Sequence, residues 1–161
     1  MNNEVFVKAL MLDPVSNVPV VILKDNLKSR LLPIWLGTFE ANAIAMQLEN
    51  LEVPRPMTHD LLASLIRQIE GVVNHVMVSD LRDATFYAEI VFTQNGKRTT
   101  LDARPSDAIA LALRSGAKIY VAETVFEKIL LSSGPTADES QKKLHTLMDS
   151  LSGDDPGAVE N

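Results

Sequence analysis

The residues with the most chemical potential stand together in "DARPSD": Asp102, Arg104 and Asp107, immediately ahead of the apolar run from Ala108 to Leu113. Upstream, Asn95-Gly96 in "QNGK" accepts the positive φ of a two-residue type I′ turn and closes a hairpin. That turn sets a register in which Glu89 faces Asp102, Ile90 faces Leu101 and Ala88 faces Ala103. Two carboxylates opposed across a ladder, about 5 Å apart at Cβ, repel each other unless a cation intervenes. The cation can be arginine, since Arg104 lies diagonally across from Glu89 and Arg98 and Arg82 flank the same ribbon. It can also be Mg²⁺ or Mn²⁺, which takes oxygen ligands, polarises a phosphate and activates water. Arginine is the simpler reading, because charge clusters on exposed strand faces are commonly just solvated.

Asp107 has a structural account too. With Pro105 at the first helical position, Asp107 falls near the third, where a carboxylate complements the helix dipole and accepts the cap residue's N–H. His59-Asp60 in "THDLL" is a dipeptide also found in metal-dependent phosphohydrolases, but their further histidines have no counterpart here. His75 falls in a strand and His145 near the end, so the pair reads as polar residues at a helix start. No Ser-His-Asp triad or phosphate-binding glycine loop is readable.

The elements that must position these residues follow from periodicity and turn chemistry. Strands are expected at Val5–Leu12, Val18–Leu23 and "RLLPIWLG", the last pushed to an edge or a bulge because Pro33 cannot donate a ladder hydrogen bond. A helix from Phe39 to Asn50 ends at "EVPRP". Thr58 then caps a second helix, to about Ile69, with Leu61, Leu62, Leu65, Ile66 and Ile69 as one apolar stripe. Strands at Val72–Val78, Thr85–Thr93 and Arg98–Arg104 lead into the "DAIALAL" helix, a short strand "KIYVA" and an amphipathic helix from Thr124 to Leu131. From Ser132 to Asn161 the composition turns polar and acidic, which predicts a mobile tail behind one domain over residues 1–131.

"EANAIAMQLEN" and "PSDAIALALRS" match at a fixed offset, with Ala-Ile-Ala at 43–45 and 108–110, and three strand-like runs precede each copy. This predicts an α+β fold of internally duplicated β-β-β-α units. A mainly antiparallel sheet packs around two alanine-rich core helices, with amphipathic helices added. The charges are not duplicated: Asp102, Arg104 and Asp107 correspond to Gly37, Phe39 and Asn42.

A net charge of -6 argues against a broad electrostatic grip on nucleic acid, which leaves a local site. With no cysteine there is no disulfide or thiolate chemistry. The start lacks a secretory pattern and no apolar run reaches the ~20 residues of a bilayer span, so a cytoplasmic protein without membrane contact is expected.

"LPIWLGTFEANAIAMQLE", "PRPMTHDLL", "VSDLRDATFYAEI" and "DARPSDAIALALRSGAKIYVAE" together resemble the bifunctional nuclease domain family, over roughly Val5 to Leu131. The resemblance implies an α+β domain, often oligomeric, with nuclease activity on RNA and DNA. Its most distinctive motif matches Asp102, Arg104, Pro105, Ser106 and Asp107, with Glu40 of "FEANAIA" in the first half. The expectation is hydrolysis of phosphodiester bonds in single-stranded RNA or DNA. Asp102 and Glu89 hold Mg²⁺ or Mn²⁺, Arg104 meets the phosphate, and Asp107 or Glu40 orients water. The alternative is a non-catalytic binding or assembly module in which the same charges are staples. Edge strands and exposed apolar residues predict a homodimer.

Overall fold

The computed structural model describes residues 1–132 and Thr146. The polar tail expected from Ser132 onward lies outside them, apart from Ser132 and Thr146. The chain runs β1 (Asn2–Leu12), β2 (Pro19–Asp25), β3 (Leu31–Trp35), α1 (Thr38–Leu48), α2 (Thr58–Gln68), β4 (Val72–Arg82), β5 (Thr85–Gln94), β6 (Lys97–Ala103), α3 (Pro105–Ser115), β7 (Lys118–Ala122) and α4 (Glu123–Ser132).

Among the described residues all strands join one sheet, ordered β3-β2-β1-β7-β4-β5-β6 and antiparallel except where β4 meets β7. The fold is α+β. Each three-stranded meander runs outward from β7, so the strand order is symmetric about it; strand order alone does not establish the expected duplication. β3 is an edge, where the missing N–H of Pro33 costs least.

α3 lies against β4, β5 and β7 and is flanked on its outer side by α1 and α2. Ala108 to Ala112 are buried, as are Pro105 and Ser106, because alanines let the sheet and neighbouring helices come close on several sides. The helix stops at Gly116, whose φ of 65° reverses the chain while the Ala117 N–H donates to the Ala112 carbonyl. Ile44 and Ile109, equivalent at the repeat offset, are both fully buried. The two helices share the core unequally. α1 buries only Ala41 and Ile44 and leaves Phe39 in solvent, because it packs on α3 from outside. The α2 stripe also divides: Leu62 and Ile66 pack on the core, while Leu61, Leu65 and Ile69 are exposed. Thr58 is the first helical residue rather than the cap; Met57 caps, and its N–H donates to Asp60 Oδ2 at 2.9 Å.

β2 is buried on both faces. Val21 and Leu23 join the main core, while Val20 and Ile22 pack with Leu31, Met11 and Trp35 behind it. Asp13 secures that second cluster. Its carboxylate accepts the Val15 N–H (2.9 Å), the Ser16 hydroxyl (2.8 Å) and Trp35 Nε1–H (3.0 Å). The Val15 bond leads in holding its pKa down from 3.8 to about 2.

Asp13→Ala strands the indole N–H and is expected to cost about 1–3 kcal/mol in urea unfolding at pH 7. A carboxylate whose pKa is depressed in the folded state stabilises above its unfolded value and loses that contribution as pH falls through the folded one. The gap between parent and variant should therefore hold down to about pH 4 and narrow toward pH 2.

Candidate active site

The hairpin between β5 and β6 has the predicted turn, with φ of 49° at Asn95 and 73° at Gly96. Its register pairs Glu89 with Asp102 and Ala88 with Ala103. Ala88 and Ile90 are buried on the face that α3 covers, so alternation turns Glu89 and Asp102 to the opposite, open face. No ion pair within 4.0 Å reaches either acid among the described residues. Arg82, a proposed neutraliser, pairs with Asp80 at 2.6 Å and stacks over Tyr87, feeling the Asp102 charge only from beyond ion-pair distance. Two like charges facing each other without a bridging cation destabilise the ribbon, so Asp102→Asn is expected to raise stability by about 0.2–1 kcal/mol in thermal unfolding.

Arg104 does not fill the gap between them. It is the N-cap of α3, and its side chain crosses to the helical side of the sheet. There its Nε and Nη2 donate to Asp107 Oδ2 and Oδ1 at 2.7 and 3.1 Å, and its Nη1 donates to Glu40 Oε1 at 2.9 Å. Asp107 sits at the third position of α3 as expected, yet it receives the arginine side chain instead of the cap N–H.

His59, on the first turn of α2, completes the group, its Nε2 lying 2.9 Å from Asp107 Oδ1. An ionised carboxylate only accepts, so Nε2 carries the hydrogen, and in the neutral ring Nδ1 is the acceptor. Nδ1 has no hydrogen-bond partner among the described residues, and no described buried side-chain nitrogen or oxygen lacks one, so Nδ1 reaches solvent. Burial works to raise the Asp107 pKa, but the bonds from Arg104 and His59 outweigh it and hold the carboxyl below its ordinary value. Asp107 leads in raising the Arg104 pKa, so this pair stays ionised.

The five residues expected to form one composite site therefore divide into a group of three and a pair. Arg104, Asp107 and Glu40 meet at the start of α3; Asp102 and Glu89 lie on the far face of the sheet. His59 is the member that sequence reasoning set aside as a helix-start residue. Its partner Asp60 does have the structural role, accepting Arg114 Nε–H at 2.6 Å and the Met57 N–H.

The Arg104–Glu40 pair divides two clefts. One, of about 390 Å³, is lined by Phe39, Asn42, Met57, His59 and Asp107. The other, of about 450 Å³, is lined by Gly37, Phe86, Pro105 and Ser106, among others. Arg104 and Glu40 line both. Such an arrangement can bind an oxyanion at the guanidinium and move a proton at Nδ1 of an imidazole held in one tautomer.

Glu89 and Asp102 offer donors of the type Mg²⁺ uses, but from the wrong side of the sheet to share a phosphate with Arg104. Among the described residues no group of three or more His, Cys, Asp or Glu side chains is placed to hold a metal ion.

An α+β domain with a cluster of His59, Asp107, Arg104 and Glu40 at a helix start defines a class that sequence comparison sharpens. Residues 21–133 match the family model described as the bifunctional nuclease domain, and the chain belongs to that family. It is 38% identical over 161 residues to an uncharacterized protein of Mycobacterium tuberculosis, covering 94% of this chain and 96% of that one. It is 24% identical over 132 residues to Bifunctional nuclease 1 of Oryza sativa subsp. japonica, covering 80% of this chain and 40% of the rice protein. Bifunctional nuclease 2 of the same plant is 27% identical over 107 residues, covering 64% and 33%. No helix among the described residues is long and apolar enough to cross a membrane.

Proposed function

We propose that the cleft between α1, α2 and α3 binds single-stranded RNA or DNA and hydrolyses a phosphodiester bond there. The observation that carries this reading is the His59–Asp107 hydrogen bond of 2.9 Å beside the Arg104 guanidinium. The family's nuclease members and the names of the rice relatives support the substrate class. Arg104 meets the phosphate and offsets charge that develops on its oxygens. His59 Nδ1 accepts the proton of the attacking water, and Asp107 holds the ring in the required tautomer and stabilises the imidazolium. The P–O bond to the leaving oxygen breaks as the new P–O bond forms, and that oxygen takes a proton from the imidazolium. Glu40 positions Arg104.

Purified chain should cut a single-stranded oligonucleotide, and His59→Ala should not. A divalent ion at Glu89 and Asp102 is a separate proposal: full activity in a chelator supports the His59 route, while loss in the chelator and in Asp102→Ala moves the chemistry to the ribbon. The reading as a non-catalytic binding module is favoured by one fact, that every carboxylate in the cluster is already paired. It predicts oligonucleotide binding without cleavage.

The apolar row Met57, Leu61, Leu65 and Ile69 on the outer side of α2 supports a homodimer. Light scattering that gives twice the chain mass would bear this out, and a monomer would end it.

A further inference from the structure

We infer that the cleft on the Ser106 side is a phosphate subsite, resting on the hydrolase reading only for the claim that the phosphate belongs to a nucleic-acid strand. Ser106 is 6% exposed and lines this cleft, yet its hydroxyl has no hydrogen-bond partner among the described residues. No described side-chain nitrogen or oxygen is both fully buried and unpartnered, so that hydroxyl opens to the cleft. A hydroxyl that no protein group uses, on a side chain otherwise buried, is free to donate to a ligand that enters the cleft.

The surroundings say what arrives. Two helices begin here, α1 after Gly37 and α3 after Arg104, and neither start has a side-chain cap bond. The N–H groups of Thr38, Phe39 and Glu40 in α1 and of Ser106 and Asp107 in α3, where Pro105 has none, precede the first bonds within the helices, which come from Ala41 to Gly37 and from Ala108 to Arg104. Uncapped N–H groups, two dipole ends, a hydroxyl and a guanidinium together favour a compact oxyanion with several acceptors.

Glu40 is the charge such an anion must replace. Its carboxylate folds over Gly37, close enough that a Cβ there would collide with Oε2, and it holds one arm of Arg104. An anion supplied by the chain itself thus sits between the start of α1 and the guanidinium. A phosphate entering beside Ser106 competes with it for Arg104.

Titration of inorganic phosphate into the ¹⁵N-labelled full chain should move the Gly37 and Ser106 amide resonances saturably. Ser106→Ala should weaken that binding by about fivefold or more. Glu40→Gln, which removes the competitor, should tighten it, the reverse of what loss of a simple staple would do. Unsaturable shifts, equal affinity in Ser106→Ala, or weaker binding in a folded Glu40→Gln would each overturn the subsite.

Single-stranded DNA with and without a 5′-phosphate, used as competitors against inorganic phosphate in the His59→Ala chain, separates the sources. Equal competition assigns an internal backbone phosphate, and competition by the phosphorylated strand alone assigns a terminal one. Competition by neither overturns the nucleic-acid assignment. Phosphate binding with no cleavage by the parent chain sinks the hydrolase reading alone; cleavage with no phosphate binding sinks the subsite alone.

Discussion

Arg30→Ala should lower the unfolding free energy by about 3 kcal/mol, a large fraction of what holds a domain of this size together. Arg30 is a junction. Its Nη2 and Nε donate to Asp25 Oδ2 at 2.7 and 3.2 Å, its Nη1 and Nη2 donate to Glu123 at 2.8 and 3.0 Å, and its guanidinium lies 3.9 Å from the centre of the Phe126 ring. The Asp25 side chain is 0% exposed, and burial alone would raise its pKa; Arg30 and the N–H groups of Lys28 and Leu27 outweigh that and keep it ionised. Removing the arginine leaves a buried carboxylate with backbone donors only, and leaves Glu123, the first residue of α4, tied to the β2–β3 turn by Lys28 alone. Arg30→Lys should fall between, because an ammonium cannot span both acids with a planar fork. Urea unfolding at neutral pH measures both, and a loss under about 1 kcal/mol for the alanine variant would show that the backbone donors suffice.

His59→Ala should reduce oligonucleotide cleavage by about 10²–10⁴-fold, the usual worth of a positioned general base. The loss should fall on kcat, since the ring does its work as the transition state forms. Asp107→Asn should also lose activity, by about 10²-fold or more, because an amide can donate to Nε2 and so favours the wrong tautomer. Arg104→Lys should raise KM and lower kcat together, since a point charge replaces a fork that meets Asp107 and Glu40 at once. Circular dichroism and thermal unfolding of the same preparations establish that each variant is folded. If His59→Ala retains more than about a third of a robust parental rate, the imidazole has no part in the chemistry.

Much of the frame was legible because it depends on neighbours in sequence. Asn95-Gly96 names its turn, and the turn fixes by simple arithmetic that Glu89 opposes Asp102. An alanine-rich run without a wet face has to be enclosed, and α3 is. Where the reading failed, the deciding contact was remote. β4 runs past Val78 to Arg82 because Asp83 and Ala84 both take positive φ, 47° and 59°, and close a hairpin that their residue types do not advertise. α1 carries the same Ala-Ile-Ala signature as α3, but packing leaves more of it in solvent.

The candidate site divides the same way. The motif around Arg104 was visible, but Glu40 meets Arg104 across 64 positions and His59 meets Asp107 across 48. Both contacts exist only once α1 and α2 dock on α3. A histidine with an acidic neighbour at a helix start was the available hint, and its immediate neighbour Asp60 proved to be the structural residue, while His59 reached further.

The placement of β7 between β1 and β4 bears on how the chain is made. During synthesis both meanders emerge before Lys118–Ala122 does, each with an inner border of unpaired amides and carbonyls. Until β7 leaves the ribosome, the two borders are open to foreign strands, and the nascent product is at its most prone to clump. Slow decoding over that interval should therefore lower the soluble yield without altering the finished molecule.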